Sequence, residues 1–293
     1  MKNNFVRMSA GNEQIICKAI DSTAIVTRAH SIHGTSNVAS AALGRLLTAA
    51  SLMGVSLKDE ESLTLRLSGG GPLGTLLAVS DSFGNVRGTV QHPVVNLPLK
   101  DNGKLNVGEA VGTSGALTVI KDLGLKDPYV GQVPLVSGEI AEDITAYFAT
   151  SEQLPTVCAL GVLCDADGTR ILNAGGFLIQ LLPGATEETI EKVEEGIKGI
   201  RPVTELLSIG MTPEEILREA LPFFSLNLLE ESHTEYRCNC SRDRVEKALF
   251  SLGSEELLSL ADEEETEVCC QFCPRKYKFT QAEIKKLASE IKK

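Results

Sequence analysis

The 293-residue sequence has no tryptophan, few other aromatic residues, no excess of positive charge and no long apolar run. Most of these absences exclude something. A formal net charge of −11 argues against a protein that grips nucleic acid by its phosphates, because that binding needs clustered Lys and Arg. From Glu235 onward 12 acidic residues stand against 11 basic ones, so neither this near-neutral segment nor the acidic remainder forms a basic patch. No stretch approaches the roughly 20 apolar residues that span a bilayer. The opening Met1-Lys2-Asn3-Asn4-Phe5 has neither an apolar core nor a cleavage signature. A cytoplasmic protein with no membrane or nucleic-acid partner is expected.

Catalytic signatures are also missing. Ser68-Gly69-Gly70-Gly71-Pro72 lacks the G-K-[ST] ending of a phosphate loop and no helix follows it, so it reads as a tight turn between strands. His30 and His33 have no Cys or carboxylate nearby and read as loop residues. There is no nucleophile elbow, no H-E-x-x-H and no dinucleotide fingerprint opening a helix. Neither enzymatic chemistry nor ATP use has support.

What is present fits a soluble, globular chain, 43% hydrophobic and 23% charged, long enough for two domains or for one domain and an appendage. Residues 14–20 and 24–32 alternate as two strands. From Ser36, the apolar positions Val38, Ala42, Leu46, Ala49 and Met53 have helical spacing. A strand at 63–67 and a hairpin over 75–90, turning at 81–85, come next. Later a helix through Tyr147 precedes a strand at 155–164, a turn at 165–168 and a strand at 170–182. Helix, strand, turn and strand thus recur, with Asp81 and Asp165 in matching places, which hints at internal duplication. The fold class is mixed α/β (α+β) for an N-terminal core domain, 1–183.

Composition shifts at Pro183-Gly184, and residues 184–235 read as a helical linker rich in Glu. Thr186 caps its first helix, and Thr212-Pro213-Glu214-Glu215 is a capping box with proline at the first helical position. Glycine and proline break this linker into pieces too short to stand without neighbours. Residues 236–293 form a third part, with caps at Ser241 and Ser254 and a second box at Thr280-Gln281-Ala282-Glu283. Its few large apolar groups make a marginal core.

Eight cysteines in a reducing compartment suit ligands, sensors or buried small side chains better than structural disulfides. Cys17, Cys158 and Cys164 sit in apolar runs and read as buried. The other notable group is Cys238-Asn239-Cys240, then a 29-residue insert, then Cys270-Gln271-Phe272-Cys273. Two close pairs can bring four thiolates round one tetrahedral ion, with zinc as the default. The C-x-C spacing and the long insert depart from ordinary zinc ribbons. A passive zinc knob and a thiol switch both remain open. Arg237, Arg242, Arg244, Arg275, Lys276 and Lys278 favour thiolate and offset the charge of a tetrathiolate centre. Structural zinc contributes roughly 10–16 kcal/mol to a small fold, whereas whole domains are stable by about 5–15 kcal/mol. Metal loss should therefore unfold this part. If each pair closed on itself, two small loops would replace the long-range tie and leave the halves unconnected.

The sequence resembles the heat-shock protein 33 family, the 33 kDa chaperonins. Besides the cysteine pattern, the resemblance is carried by Gly71-Pro72-Leu73-Gly74, Gly84-Asn85-Val86-Arg87-Gly88, the run from Lys121 to Gln153, Ala174-Gly175-Gly176 and Leu182-Pro183-Gly184-Ala185. It implies a client-binding core domain (1–183), a metastable helical linker (184–235) and a zinc-binding redox-switch domain (236–293). It also implies one zinc per chain on Cys238, Cys240, Cys270 and Cys273 in an inactive reduced form. Peroxide with mild heat, or hypochlorous acid, would form the disulfides Cys238–Cys240 and Cys270–Cys273, release zinc and unfold the linker. The resemblance then implies an ATP-independent holdase for unfolding client proteins, a homodimer when oxidised. Cys269 departs from the pattern, and Cys270 is the expected ligand because it keeps C-x-x-C with Cys273. Two other readings carry weight. A zinc-stabilised RNA or ribosome adaptor is disfavoured by the acidic balance, and a thiol-disulfide oxidoreductase using Cys270 and Cys273 lacks a thioredoxin-like context.

Overall fold

A hairpin of β1 (Phe5–Ala10) and β2 (Ile15–Asp21) leads into helices α1 (Thr23–His33) and α2 (Asn37–Gly54). Strands β3 (Ser62–Ser68), β4 (Thr75–Asp81) and β5 (Val86–Val90) follow, then the short helix α3 (Val107–Val111), β6 (Ala116–Asp122) and β7 (Tyr129–Pro134). Helix α4 (Ala141–Tyr147) runs into a π-helical turn, Phe148–Glu152, before β8 (Thr156–Cys164) and β9 (Ile171–Leu181). Helices α5 (Glu187–Ile197), α6 (Val203–Ser208) and α7 (Pro213–Ala220) precede β10 (Asn227–Ser232). The last elements are α8 (Arg242–Phe250), α9 (Ser254–Leu260), β11 (Glu265–Cys269), β12 (Lys276–Thr280) and α10 (Gln281–Ile291). This is a computed structural model describing residues 4–291, so Met1-Lys2-Asn3 and the last two residues of the expected C-terminal domain lie outside it. The chain divides into two compact units, one ending at Arg237 and one beginning at Cys238.

The first unit is built around α2. Sixteen of its 18 residues are buried, so it is apolar on every side rather than amphipathic. Its small residues make this possible: a Cβ on Gly44 would come within 2.8 Å of both Val26 and Val162. Its hydroxyls are satisfied locally, Thr48 donating to the Gly44 carbonyl (2.8 Å) and Ser51 to the Gly84 carbonyl (2.7 Å). Leu43, Leu46 and Leu47 share one core with Leu63, Leu65 and Leu76 from one sheet and Phe5, Ile20 and Leu178 from the other. Both sheets are antiparallel and five-stranded, in the orders β5-β4-β3-β6-β7 and β10-β1-β2-β9-β8. The glycine run after β3 is the expected turn. Its Gly71 amide bonds the Val111 carbonyl, and a Cβ on Gly71 would lie 2.5 Å from the Ala110 oxygen.

The opposite face of the β1-β2-β9 sheet carries a second core. Val6, Met8, Ile15, Cys17, Phe177 and Ile179 meet Val203, Leu206, Leu207, Ile216, Leu217 and Leu221 from α6, α7 and the end of α7. Strand β10 then pairs with β1 through a register irregularity at Arg7/Met8. The segment expected to be helical throughout therefore closes with a strand, whose Leu228 and Leu229 are exposed and gain nothing from a helical stripe. Residues 24–32 correct the sequence in the other direction. They form most of α1, because Ile25, Val26 and Ala29 bury at helical spacing and Gly34 ends the helix in the left-handed region. The capping boxes at Thr212/Glu215 and Thr280/Glu283 are formed. Ser254 begins α9 after a Gly253 cap. The Asp81 and Asp165 turns close alike, each carboxylate accepting backbone amides, but they belong to different sheets.

One buried charge crosses these layers. Lys18 on β2 is fully buried and its Nζ donates to the Leu52 carbonyl (3.3 Å) and to Ser56 Oγ near the end of α2. Arg7 stands opposite it on β1, and Glu230 stands opposite Arg7 on β10. Burial and then the Arg7 guanidinium pull the Lys18 amine down to about 8, against the attraction of Glu230. From there up to the ordinary value of 10.5, the unfolded chain holds a proton that the folded chain has shed, so this group's contribution to stability rises with pH. Lys18→Met should abolish that rise. Denaturant unfolding at pH 7 and pH 10 should show the parent gaining about 2 kcal/mol on the variant; a constant gap would mean the buried amine titrates normally.

Candidate metal centre

Among the described residues, the second unit has an apolar core of seven buried side chains: Leu249, Leu257, Ala261, Phe279, Ile284, Leu287 and Ala288. Helices α8, α9 and α10 supply most of them, and the β11–β12 hairpin supplies Phe279. Arg242, in the first turn of α8, ties the two parts together. Its guanidinium lies 4.2 Å from the Phe279 ring centroid, donates to the Lys278 carbonyl (2.9 Å) and pairs with Glu283 (2.8 Å). Ser241 caps α8 by accepting from the Arg244 amide, as its sequence position suggested.

The cysteines lie where two chain segments turn. Cys238 and Cys240 lie just before α8, outside any helix or strand, while Cys270 and Cys273 occupy the turn between β11 and β12, closed by the Cys270 amide on the Arg275 carbonyl (3.0 Å). Their four Sγ atoms lie within 4.8 Å of one another. Two of the separations run across the segments, 3.7 Å for Cys238–Cys270 and 3.4 Å for Cys240–Cys273, and all eight cysteines of the chain are free thiols. A tetrahedral ion with metal–sulfur bonds near 2.3 Å needs edges of roughly 3.8 Å, so the donor set and its spacing fit one ion. Among the described residues no other Cys, His, Asp or Glu group is gathered in this way.

Polar contacts orient the sulfurs. Tyr277 donates its hydroxyl to Cys240 Sγ (3.1 Å), the Phe272 amide points to Cys270 Sγ (3.4 Å), and Arg275 donates to the Cys240 carbonyl (3.1 Å). Burial opposes ionisation at Cys240, but the Tyr277 hydroxyl and the neighbouring thiols outweigh it and draw this thiol down to about 7. Burial prevails at Cys238, which is pushed up to about 12. One sulfur is thus ready to ionise while another must be helped by an incoming cation, and binding releases protons.

The remaining candidates are scattered. Cys269 is exposed, bonded to Glu267 and opposite Lys276 across the hairpin, outside the sulfur cluster. Of the three cysteines read as buried, Cys17 is buried but Cys158 and Cys164 are half-buried, because they lie in β8, whose face is only partly covered; burial pushes Cys17 up to about 12 and Cys164 to about 11, and raises Cys158 as well. His30 and His33 are helical rather than in a loop. His30 bonds the Thr35 and Ser40 hydroxyls, and His33 donates to the Gly88 carbonyl (2.9 Å). Sequence reasoning missed Tyr277 and the Arg242–Phe279 contact. The only available signal was an aromatic pair among the cations of Arg275-Lys276-Tyr277-Lys278-Phe279, directly after the last cysteine.

Comparison with known proteins covers both units. A family model described as Hsp33 protein matches residues 3–280. The 33 kDa chaperonin of Lachnoclostridium phytofermentans is 50% identical over 287 residues, 97% of this chain and 98% of its own. That of Geobacillus kaustophilus is 46% identical over 294 residues, with both chains fully covered. The crystal structure of the 33 kDa chaperonin (heat shock protein 33 homolog) from Thermotoga maritima matches with a TM-score of 0.86 and 35% identity, covering 98% of each chain. With its antiparallel sheets around a buried helix, its late four-cysteine cluster and a match that runs through both units, the chain belongs to the Hsp33 family.

Proposed function

We propose that this chain is a redox-regulated, ATP-independent holdase, inactive when reduced and metal-loaded and active when its four clustered thiols are oxidised. The family is one of chaperonins and not of enzymes, which sets the oxidoreductase reading aside. The observation that carries the switch is the convergence of four free thiols from two distant segments on a unit with seven buried apolar side chains among its described residues. Zinc is the ion that four thiolates at this spacing suit best, and when bound on Cys238, Cys240, Cys270 and Cys273 it would tie the two segments together.

Oxidation removes the donors. Cys238 with Cys240, and Cys270 with Cys273, each surrender two electrons to a peroxide, which leaves as water, and each pair becomes a disulfide within its own segment. Neither disulfide then replaces the ion as a link between residues 238–240 and residues 270–273. The small core is left with the exposed contacts of Arg242 and the Arg275–Cys240 bond to hold the fold, too little to do so.

The surface for clients follows from the second core of the larger unit. Helices α5, α6 and α7 have 11, 6 and 8 residues, too short to persist without the sheet they cover. Together with β10 they make up the linker, residues 184–235, between the core domain and the switch domain. Releasing them uncovers Val6, Met8, Ile15, Phe177 and Ile179 on the sheet and Leu206, Leu207, Ile216 and Leu217 on the helices. A continuous apolar surface of this kind binds unfolded polypeptide without a nucleotide cycle. The proposed setting is the cytoplasm, where the oxidised form works as a homodimer; among the described residues no helix is long and apolar enough to cross a membrane.

Two experiments test this reading. Peroxide should remove one zinc and four titratable thiols per chain together, and the oxidised chain should suppress aggregation of a thermally unfolded client that the reduced chain does not protect. Equal protection by both forms would overturn the switch. Cys269→Ser should still bind one zinc per chain, measured by metal analysis, because its thiol lies outside the cluster. A fall well below one would place Cys269 among the ligands.

A further inference from the structure

Strand β5 is the outer strand of its sheet, and its free edge is occupied by the chain's own residues 234–237. Val86 pairs in parallel with Tyr236: its amide donates to the Glu235 carbonyl (2.9 Å), and its carbonyl accepts from the Arg237 amide (2.8 Å). The next outward-facing residue, Gly88, is met by a side chain. The Tyr236 hydroxyl accepts from the Gly88 amide (3.3 Å) and donates to the Gly88 carbonyl (3.0 Å), which His33 also reaches. Four backbone groups of an edge strand are thus satisfied by two backbone groups and one phenol. The Tyr236 ring packs against the central core, and upstream the fully buried Thr234 exchanges backbone bonds with the Asn4 side chain.

An edge strand with free amides and carbonyls is a template for any extended chain. This one is closed by a tyrosine-bearing segment whose last bonded residue, Arg237, immediately precedes Cys238. While the tether is docked, its covalent attachment gives it an effective concentration near millimolar, which dilute peptides cannot match. Once it is released, the same seat is open to a competitor with the same features.

We propose that the β5 edge is a masked strand-addition site for client chains, which accepts an extended segment parallel to β5 with a tyrosine in the place of Tyr236. Residues 234–237 act as its built-in competitor. The proposal rests on the redox reading only in that oxidation is what frees the tether.

The test uses the full-length chain and a fluorescent peptide copying Glu231–Arg237, followed by anisotropy. The oxidised, metal-free chain should bind it at least about tenfold more tightly than the reduced, metal-loaded chain. The same peptide with phenylalanine in the place of Tyr236 should bind several-fold more weakly, because it cannot bridge Gly88. Reduced Tyr236→Ala, with the tether's hold on Gly88 lost and the metal retained, should bind the tyrosine peptide without any oxidant, and Tyr236→Phe should do so to a smaller degree. Failure of both the oxidised parent and the reduced variants to bind would overturn the proposal, as would equal binding of the two peptides. Client protection by the oxidised chain without peptide binding would remove this site and leave the redox reading intact. Peptide binding by the reduced variants with no protection by the oxidised chain would do the reverse.

Discussion

Seven buried apolar side chains, two of them alanines, form the core of the described C-terminal unit, and that shortage is the constraint the rest of the unit answers to. The cysteine cluster is arranged as though to make up for it. Its sulfurs come from the segment before α8 and from the β11–β12 turn, so a cation held there joins two distant stretches of the chain. Arg242 on Phe279 is the other tie, and it is half-exposed and electrostatic, a modest contribution in water. In the function proposed above, these sulfurs decide whether such a unit stays closed.

The larger unit has two cores of unequal build. Around α2 the leucines of both sheets interlock with glycine and alanine at closest approach, and substitution or motion there costs cavity or clash. On the far face, short helices rich in Glu rest on the sheet with one apolar side each, and their exposed ion pairs, such as Arg201–Glu219 and Arg218–Glu214, add little in water. Such a layer sits at the low end of the stability range within its domain, where a functional opening is expected.

The sequence was most legible where a signal is local. Cys238-x-Cys240 and Cys270-x-x-Cys273 already place each pair of sulfurs close together, and only the meeting of the two pairs needed the fold. Thr212 and Thr280 found their Glu partners because a capping box is complete within four residues. Residues 24–32 misled because a short run containing Ile25, Val26 and Ile32 has no length with which to separate period 2 from period 3.6. Strand β10 was hidden for a related reason: its pairing with β1 joins residues more than 200 positions apart, and Leu228-Leu229 carries no alternation. Tyr236 and Tyr277 owe their roles to register and to a turn, neither of which residue type reveals.

The enclosed position of α2 bears on recovery as well as on opening. Because that helix is clasped by both sheets, a chain whose outer layer has come away still presents β1, β2 and β9 in their native order, with β9 leading straight into the displaced segment. Return is then a re-docking onto a finished mould and not a search through unfolded conformations, so the loop-closure entropy that slows distant pairings has already been met. A molecule that opens in this manner keeps its own template for closing.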